Sequence, residues 1–212
     1  MKLIRFLGFV AIMLNITSAF AVNQAPRVLM IVNEGFWAPE HYKPREIFEK
    51  ASFVITVAAK HVGDVYPDVR NTEYSSVKAD LVFSQVNIKD YDAVVFAGGN
   101  GAWTDYFPNE EVHRILKESL NSGKIVGLIC SSTGLLGLAN NFDGQAPLAA
   151  GRKVTGYYRV RGLLEKMGLV SYDAGIEAKP HVVVDDKLVT GRDPISSELF
   201  GQILLKVILE NK

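Results

Sequence analysis

Cysteine occurs once in the 212 residues, as Cys130. No disulfide can therefore form within the chain, and no four-thiolate metal centre can be built. Charge of one sign is not in excess either. The 23 Lys and Arg side chains are matched by 23 Asp and Glu, which removes the basic surplus a dedicated nucleic-acid binder uses against phosphates. The histidines, His41, His61, His113 and His181, are scattered without metal-ligand spacing. No GxGxxG follows the first strand-like run, and no repeat, low-complexity tract or long linker divides the chain. At 48% hydrophobic and 22% charged, the composition is too apolar and too evenly charged for disorder. A single globular domain remains, with no nucleic acid, metal or cofactor implied.

Residues 1–21 stand apart and read as a secretory signal peptide. Lys2 and Arg5 form a positive start, Leu7 to Ile16 is apolar except for Asn15, and Ala19-Phe20-Ala21 supplies a small-x-small cleavage pattern. Asn15 and Thr17 leave the apolar run too short to span a bilayer comfortably. The expectation is a leader over 1–21, one soluble domain over 22–212, and export without stable membrane insertion after cleavage. The location would be periplasmic in a Gram-negative source. A lone thiol in an oxidising compartment is a liability unless it is buried or used.

In the remainder, apolar runs alternate with helical spacing. Strands are predicted at 27–32, 52–58, 93–97 and 124–129, and helices over 44–51, 109–120, from 133 to 139, 160–167 and 196–209. A short strand is expected near Lys153, and a hairpin pairs 181–184 with 188–190 through Asp185-Asp186. The stretch around 62–80 is polar and unassigned. Such alternation means an α/β three-layer sandwich with a mainly parallel central sheet. In open sheets of this kind ligands bind beyond the carboxyl ends of the strands, here after Val32, Ala97 and Ile129.

Those loops hold the residues able to do chemistry. Cys130 falls between a strand and a helix in Gly127-Leu-Ile-Cys-Ser-Ser-Thr-Gly134. A sharp turn there aims the sulfur outward, surrounds it with unpaired helix N–H groups that favour thiolate, and frees the Ser131 N–H for an oxyanion. A buried structural cysteine is the competing reading. Gly98-Gly99-Asn100-Gly101 reads as a tight turn or as a second oxyanion donor. Glu40, with Phe36 or Trp37 as an apolar wall, is either a first-turn helix acid or a carboxyl kept protonated by desolvation beside the sulfur. Glu34 competes for the second role. The basic and aromatic stretch Tyr157-Tyr158-Arg159-Val160-Arg161 reads as a solvated helix edge.

Taken in order, these pieces resemble the ThiJ/PfpI family, within the flavodoxin-like, class I glutamine-amidotransferase-like fold. The carriers are Val28-Leu-Met-Ile-Val32, Glu40 with Pro44, Tyr91-Asp-Ala-Val-Val-Phe-Ala-Gly-Gly-Asn100, Lys124-Ile-Val-Gly-Leu-Ile-Cys130, Gly151-Arg-Lys-Val-Thr-Gly156 and Leu188-Val-Thr-Gly-Arg-Asp-Pro194. The Gly-Arg-Asp-Pro and His-Val-Val-Val-Asp features are most similar to the branch holding glyoxalase III-like and chaperone-like members. The resemblance implies that Cys130 is the reactive cysteine of a nucleophile elbow, Glu40 its acidic partner, and the Gly99 and Ser131 N–H groups an oxyanion hole. It also implies a small reactive carbonyl as substrate and a homodimer. Many enzymatic members carry histidine after the cysteine, where this chain has Ser131. Serine is no general base at neutral pH, so His41, with His181 behind it, is the substitute proton carrier, and amidase or peptidase chemistry is disfavoured. The alternative function is a non-enzymatic oxidative-stress sensor or holdase-like module using the same thiol.

Overall fold

The computed structural model describes residues 24–139 and 146–212. The expected signal peptide lies outside the described residues. In chain order the elements are β1 (Arg27–Ile31), α1 (Ala38–Lys50), β2 (Val54–Ala59), β3 (Gly63–Val65), β4 (Val77–Ala79), β5 (Leu81–Val82), β6 (Ala93–Phe96) and α2 (Glu110–Asn121). They continue as β7 (Ile125–Ile129), α3 (Leu135–Leu138), β8 (Lys153–Val154), α4 (Arg161–Lys166), β9 (Ser171–Tyr172), β10 (Val182–Asp185), β11 (Leu188–Gly191) and α5 (Ser197–Glu210). No helix among the described residues is long and apolar enough to cross a membrane.

The continuous apolar runs become the centre of one sheet of order β10-β11-β7-β6-β1-β2-β5, parallel except for the β10–β11 hairpin. Strands apolar at every position fit only where both faces are covered. Leu29 and Ile31 of β1 point into a core shared with Phe96, Leu116, Leu135 and Leu164. Val28 and Met30 point the other way, onto Phe48 of α1 and Phe200 and Leu204 of α5. The result is the expected three-layer α/β sandwich, with α2, α3 and α4 on one face and α1 and α5 on the other.

Local chemistry sets the boundaries. Asn109 caps α2, its Oδ1 accepting the N–H of Glu111 at 3.0 Å and of Val112 at 3.4 Å. Helix α1 begins at Ala38, six residues before the Pro44 taken from sequence as its start. Pro44 is accommodated inside the helix, packed so closely on α5 that a Cβ at Gly201 would lie 2.8 Å from the Pro44 Cα. After Cys130 the chain makes a 3₁₀ turn to Gly134 before the four-residue α3, where sequence had suggested a helix from Thr133. The unassigned polar stretch holds the antiparallel β3–β4 pair and the edge strand β5. The hairpin turn falls at Asp186 (φ +54°), since Asp185 still pairs with Leu188.

Candidate active site

The chain leaves β1 for β2 on one side and later returns to β6 on the other, so a crevice opens at the carboxyl ends of β1, β6 and β7. Cys130 sits there in the left-handed region, at φ +59°, a conformation that costs a non-glycine residue about 1–2 kcal/mol. The surrounding backbone fixes it. Thr133 Oγ1 donates to the Cys130 carbonyl at 2.7 Å, and the Tyr157 N–H donates to the same oxygen at 3.2 Å. Ser132 Oγ accepts the Ile129 N–H at 3.0 Å and donates to the Phe96 carbonyl at 2.9 Å. The hydroxyls of Ser132 and Thr133 therefore satisfy the tight turn that regular helix bonds would otherwise close.

Glu40, in the first turn of α1, is fully buried. Its Oε2 accepts the Gly98 N–H at 2.9 Å, and the carboxyl interacts with the Cys130 thiol. Its Oε1 has no hydrogen-bond partner. Gly98 makes this approach possible. A Cβ there would lie 2.6 Å from Glu40 Oε2 and 2.9 Å from the Cys130 Cβ. Burial pushes the Glu40 carboxyl up to about 8 from its ordinary 4.5, against the opposing pull of Cys130 and the Gly98 N–H. With its pKa there, Glu40 in the first turn of α1 holds its proton at neutral pH. Glu34 is exposed, its carboxyl accepting the Tyr66 N–H at 3.3 Å.

The thiol departs from expectation. Burial pushes Cys130 well above the ordinary cysteine range, the charge that Glu40 acquires on ionising pushes the same way, and only the Ser131 N–H pulls it down. The helix that was to supply a dipole is too short to do so. Sulfur and carboxyl ionise as a pair. Of the two, Glu40 is the first to lose its proton, and the thiol holds its own to higher pH.

Two further assignments are corrected. His41 is fully buried among Phe36 and Tyr42, with ring centroids at 5.5 and 5.1 Å, and neither ring nitrogen has a hydrogen-bond partner. Burial lowers its pKa to about 3, so it stays neutral and relays no proton to the sulfur. His181 lies 3.3 Å from Asp173 instead, and no histidine lines the crevice. The oxyanion hole also differs from expectation. The Gly99 N–H is donated to Ser131 Oγ at 2.9 Å, and that hydroxyl donates back to the Gly99 carbonyl at 2.8 Å. The serine that replaces histidine in sequence thus occupies the very donor assigned to Gly99, while the Ser131 N–H engages the sulfur.

Cys130 forms the floor of a cavity of about 240 Å³. Trp37 lines it, whereas Phe36 is fully buried. Arg70, Gly99, Asn100, Trp103, Ser131, Tyr157, Arg159 and Pro194 complete the lining, and no sequence signal pointed to Arg70 or Trp103. Tyr157 and Arg159 belong to the stretch read as a solvated edge. The bond from the Tyr157 N–H to the Cys130 carbonyl draws them over the site. Among the described residues no cluster of His, Cys, Asp and Glu has the make-up of a metal site.

The DJ-1/PfpI family model matches residues 26–207. The chain belongs to the DJ-1/PfpI family. General stress protein 18 of Bacillus subtilis is 27% identical over 182 residues, 86% of this chain and 97% of that protein. Deglycase PfpI of Pyrococcus furiosus is 32% identical over 119 residues, 56% of this chain and 63% of the other. The crystal structure of glyoxalase III from Candida albicans superposes with a TM-score of 0.70 at 20% identity, covering 86% of this chain and 97% of that one. Membership in the DJ-1/PfpI family and its flavodoxin-like fold, expected from the ordered motifs, is thereby borne out.

Proposed function

We propose that this chain is a cysteine-dependent enzyme acting on small reactive carbonyls, in the manner of a glyoxalase III or a deglycase. The observation that carries the reading is a buried, protonated Glu40 hydrogen-bonded to Gly98 and interacting with the strained Cys130 at the floor of an open cavity. In the form that has lost one proton from the pair, the sulfur is a thiolate whenever the remaining proton rests on Glu40. The thiolate adds to an aldehyde carbon, the C=O π pair moves to oxygen, and the Glu40 proton follows, leaving a neutral thiohemiacetal and a carboxylate. With an α-oxoaldehyde, that carboxylate removes the proton from the former aldehyde carbon and returns it to the adjacent carbonyl carbon by way of an enediol. Water then hydrolyses the resulting thioester to a 2-hydroxy acid and regenerates the thiol.

The route suits this site because the addition step ends in proton transfer to oxygen and does not need a long-lived oxyanion. Ser131 occupies the Gly99 donor, and no imidazole stands ready to protonate a leaving amine, so peptide hydrolysis is the poorer fit. Cysteine also needs less help from a base than serine does. Lactate formation from methylglyoxal, measured for wild type and Cys130→Ala, tests the reading. Equal rates for the two would remove it.

A second reading is favoured by the occupied Gly99 donor, namely an oxidative-stress sensor or holdase-like module, although the raised thiol pKa counts against the sensor because peroxide attacks thiolate. Peroxide would then convert Cys130 to a stable sulfinate, seen as a gain of two oxygens by intact mass. A thiol inert to peroxide would exclude the sensor. We further propose that residues 1–21 direct export and are removed, which N-terminal sequencing of the secreted protein would test. Pairing as a homodimer is checked by light scattering.

A further inference from the structure

Among the described residues no carboxylate lines the cavity over Cys130, yet two guanidinium groups do, Arg70 and Arg159. Their electrostatic states differ. Arg70 is held in a fork by Asp68, Nε to Oδ1 at 2.7 Å and Nη2 to Oδ2 at 2.9 Å, and it stacks on Trp37 with 4.6 Å from Cζ to the ring centroid. Its charge is balanced, but it still presents unused N–H donors in a fixed plane. Arg159 is exposed and lies over the Tyr158 ring, its Nε donating to Tyr158 Oη at 3.1 Å. Among the described residues no carboxylate stands within ion-pair distance of it. The mouth of the site therefore carries a net positive charge and planar donors suited to a carboxylate.

We propose that the substrate is a carbonyl compound bearing a carboxylate, the carbonyl carbon at Cys130 and the carboxylate at Arg159, with Arg70 as a second donor. The proposal rests on the reactive-carbonyl reading and adds the charge of the substrate to it. A cavity of about 240 Å³ accommodates an α-oxoaldehyde extended by a short carboxylate-bearing arm. The neutral remainder of such a molecule meets Trp37, Trp103 and Tyr157.

Because Cys130 is the chain's only cysteine, alkylation reports on this cavity alone, and charge recognition can be measured without turnover. The probes are iodoacetate and iodoacetamide, which differ in charge but attack the same sulfur, so their rate ratio cancels the thiol's ionisation. In wild type the iodoacetate-to-iodoacetamide ratio should exceed that of free cysteine by about fivefold or more, and it should fall with added salt. Arg159→Gln should return it toward the free-cysteine value. Arg161→Gln, which removes the same charge from α4, should keep the wild-type ratio. A wild-type ratio at or below that of free cysteine would overturn the proposal. So would equal losses in the two variants, which would mark a diffuse field and not a site. In the enzymatic arm, kcat/KM for 4,5-dioxopentanoate should exceed that for methylglyoxal, and Arg159→Gln should narrow the gap. Turnover of methylglyoxal alone, with no charge preference by either readout, would sink this inference and leave the carbonyl reading intact. Selective alkylation without turnover of either compound would overturn both the carbonyl reading and this proposal, leaving only an anion-binding cavity.

Discussion

Replacing Glu40 by glutamine should make the protein more stable as the pH rises, in a way that can be worked out in advance. In the native chain Glu40 holds its proton up to about 8, against an ordinary value of 4.5. Between those values the folded protein binds a proton that the unfolded chain has released, so wild-type stability falls as pH increases through that window. Each pH unit corresponds to about 1.4 kcal/mol. Glutamine has the same shape, accepts the Gly98 N–H through its oxygen, offers an N–H to the sulfur, and does not titrate. The stability difference between Glu40→Gln and wild type should therefore grow by about 3 kcal/mol from pH 5 to 7.5, in favour of the variant. The neighbouring His41 titrates in both proteins, so its contribution cancels. Urea unfolding monitored by tryptophan fluorescence at several pH values gives the comparison directly. A pH-independent difference would mean that Glu40 is already ionised in the folded state, and the argument for a protonated acid beside Cys130 would fail with it.

Other outcomes follow from the same geometry. The rate of Cys130 alkylation by iodoacetamide should still be climbing with pH above the ordinary cysteine range, because burial and the Glu40 charge both hold the proton on sulfur. A midpoint below 6 would restore a helix-stabilised thiolate. Gly98→Ala places a methyl 2.6 Å from Glu40 Oε2, so stability should drop by about 1–3 kcal/mol and carbonyl turnover should be lost with the displaced carboxyl. Unchanged kinetics would show that Glu40 takes no part. Ser131→Ala removes both bonds to Gly99 and should lower stability by about 1–2 kcal/mol while raising carbonyl turnover, since the Gly99 N–H becomes available. A lower rate would assign the hydroxyl itself to catalysis. His41, held neutral down to about 3, makes wild type lose stability as pH falls below the ordinary histidine value of 6.5, because only the unfolded chain gains the proton there. His41→Leu should flatten that acid limb in the same unfolding series, and an unaltered limb would place the proton uptake elsewhere.

Much of the architecture was legible because β6 and β7, and β1 after Arg27, are apolar throughout, a pattern that only a doubly covered sheet satisfies. Glu40 and Cys130 were legible for a related reason: each follows such a strand at the end where ligands collect. The start of α1 was not, since proline normally marks a helix beginning, and only the close packing of Pro44 on Gly201 explains its place in the interior. Strands β3, β4 and β5 have two or three residues each, too few for a period to show. His41 was misread because adjacency in sequence places it about 100° around the helix from Glu40, toward the aromatic layer. The occupation of the Gly99 N–H depends on a side-chain rotamer, and the Arg70 and Arg159 wall joins two loops far apart in the chain. Neither leaves a local pattern. A charged residue flanked by aromatic ones, as in Tyr157-Tyr158-Arg159, was the one available hint.

The left-handed backbone at Cys130 has a practical corollary for anyone engineering this protein. The conformation suits glycine far better than any residue with a side chain, so Cys130→Gly should melt at a higher temperature than the native chain. A selection for heat resistance alone would thus drift toward molecules that have discarded their only thiol. Sturdiness and reactivity pull in opposite directions at this one position, and a thiol assay belongs in every round of such a screen.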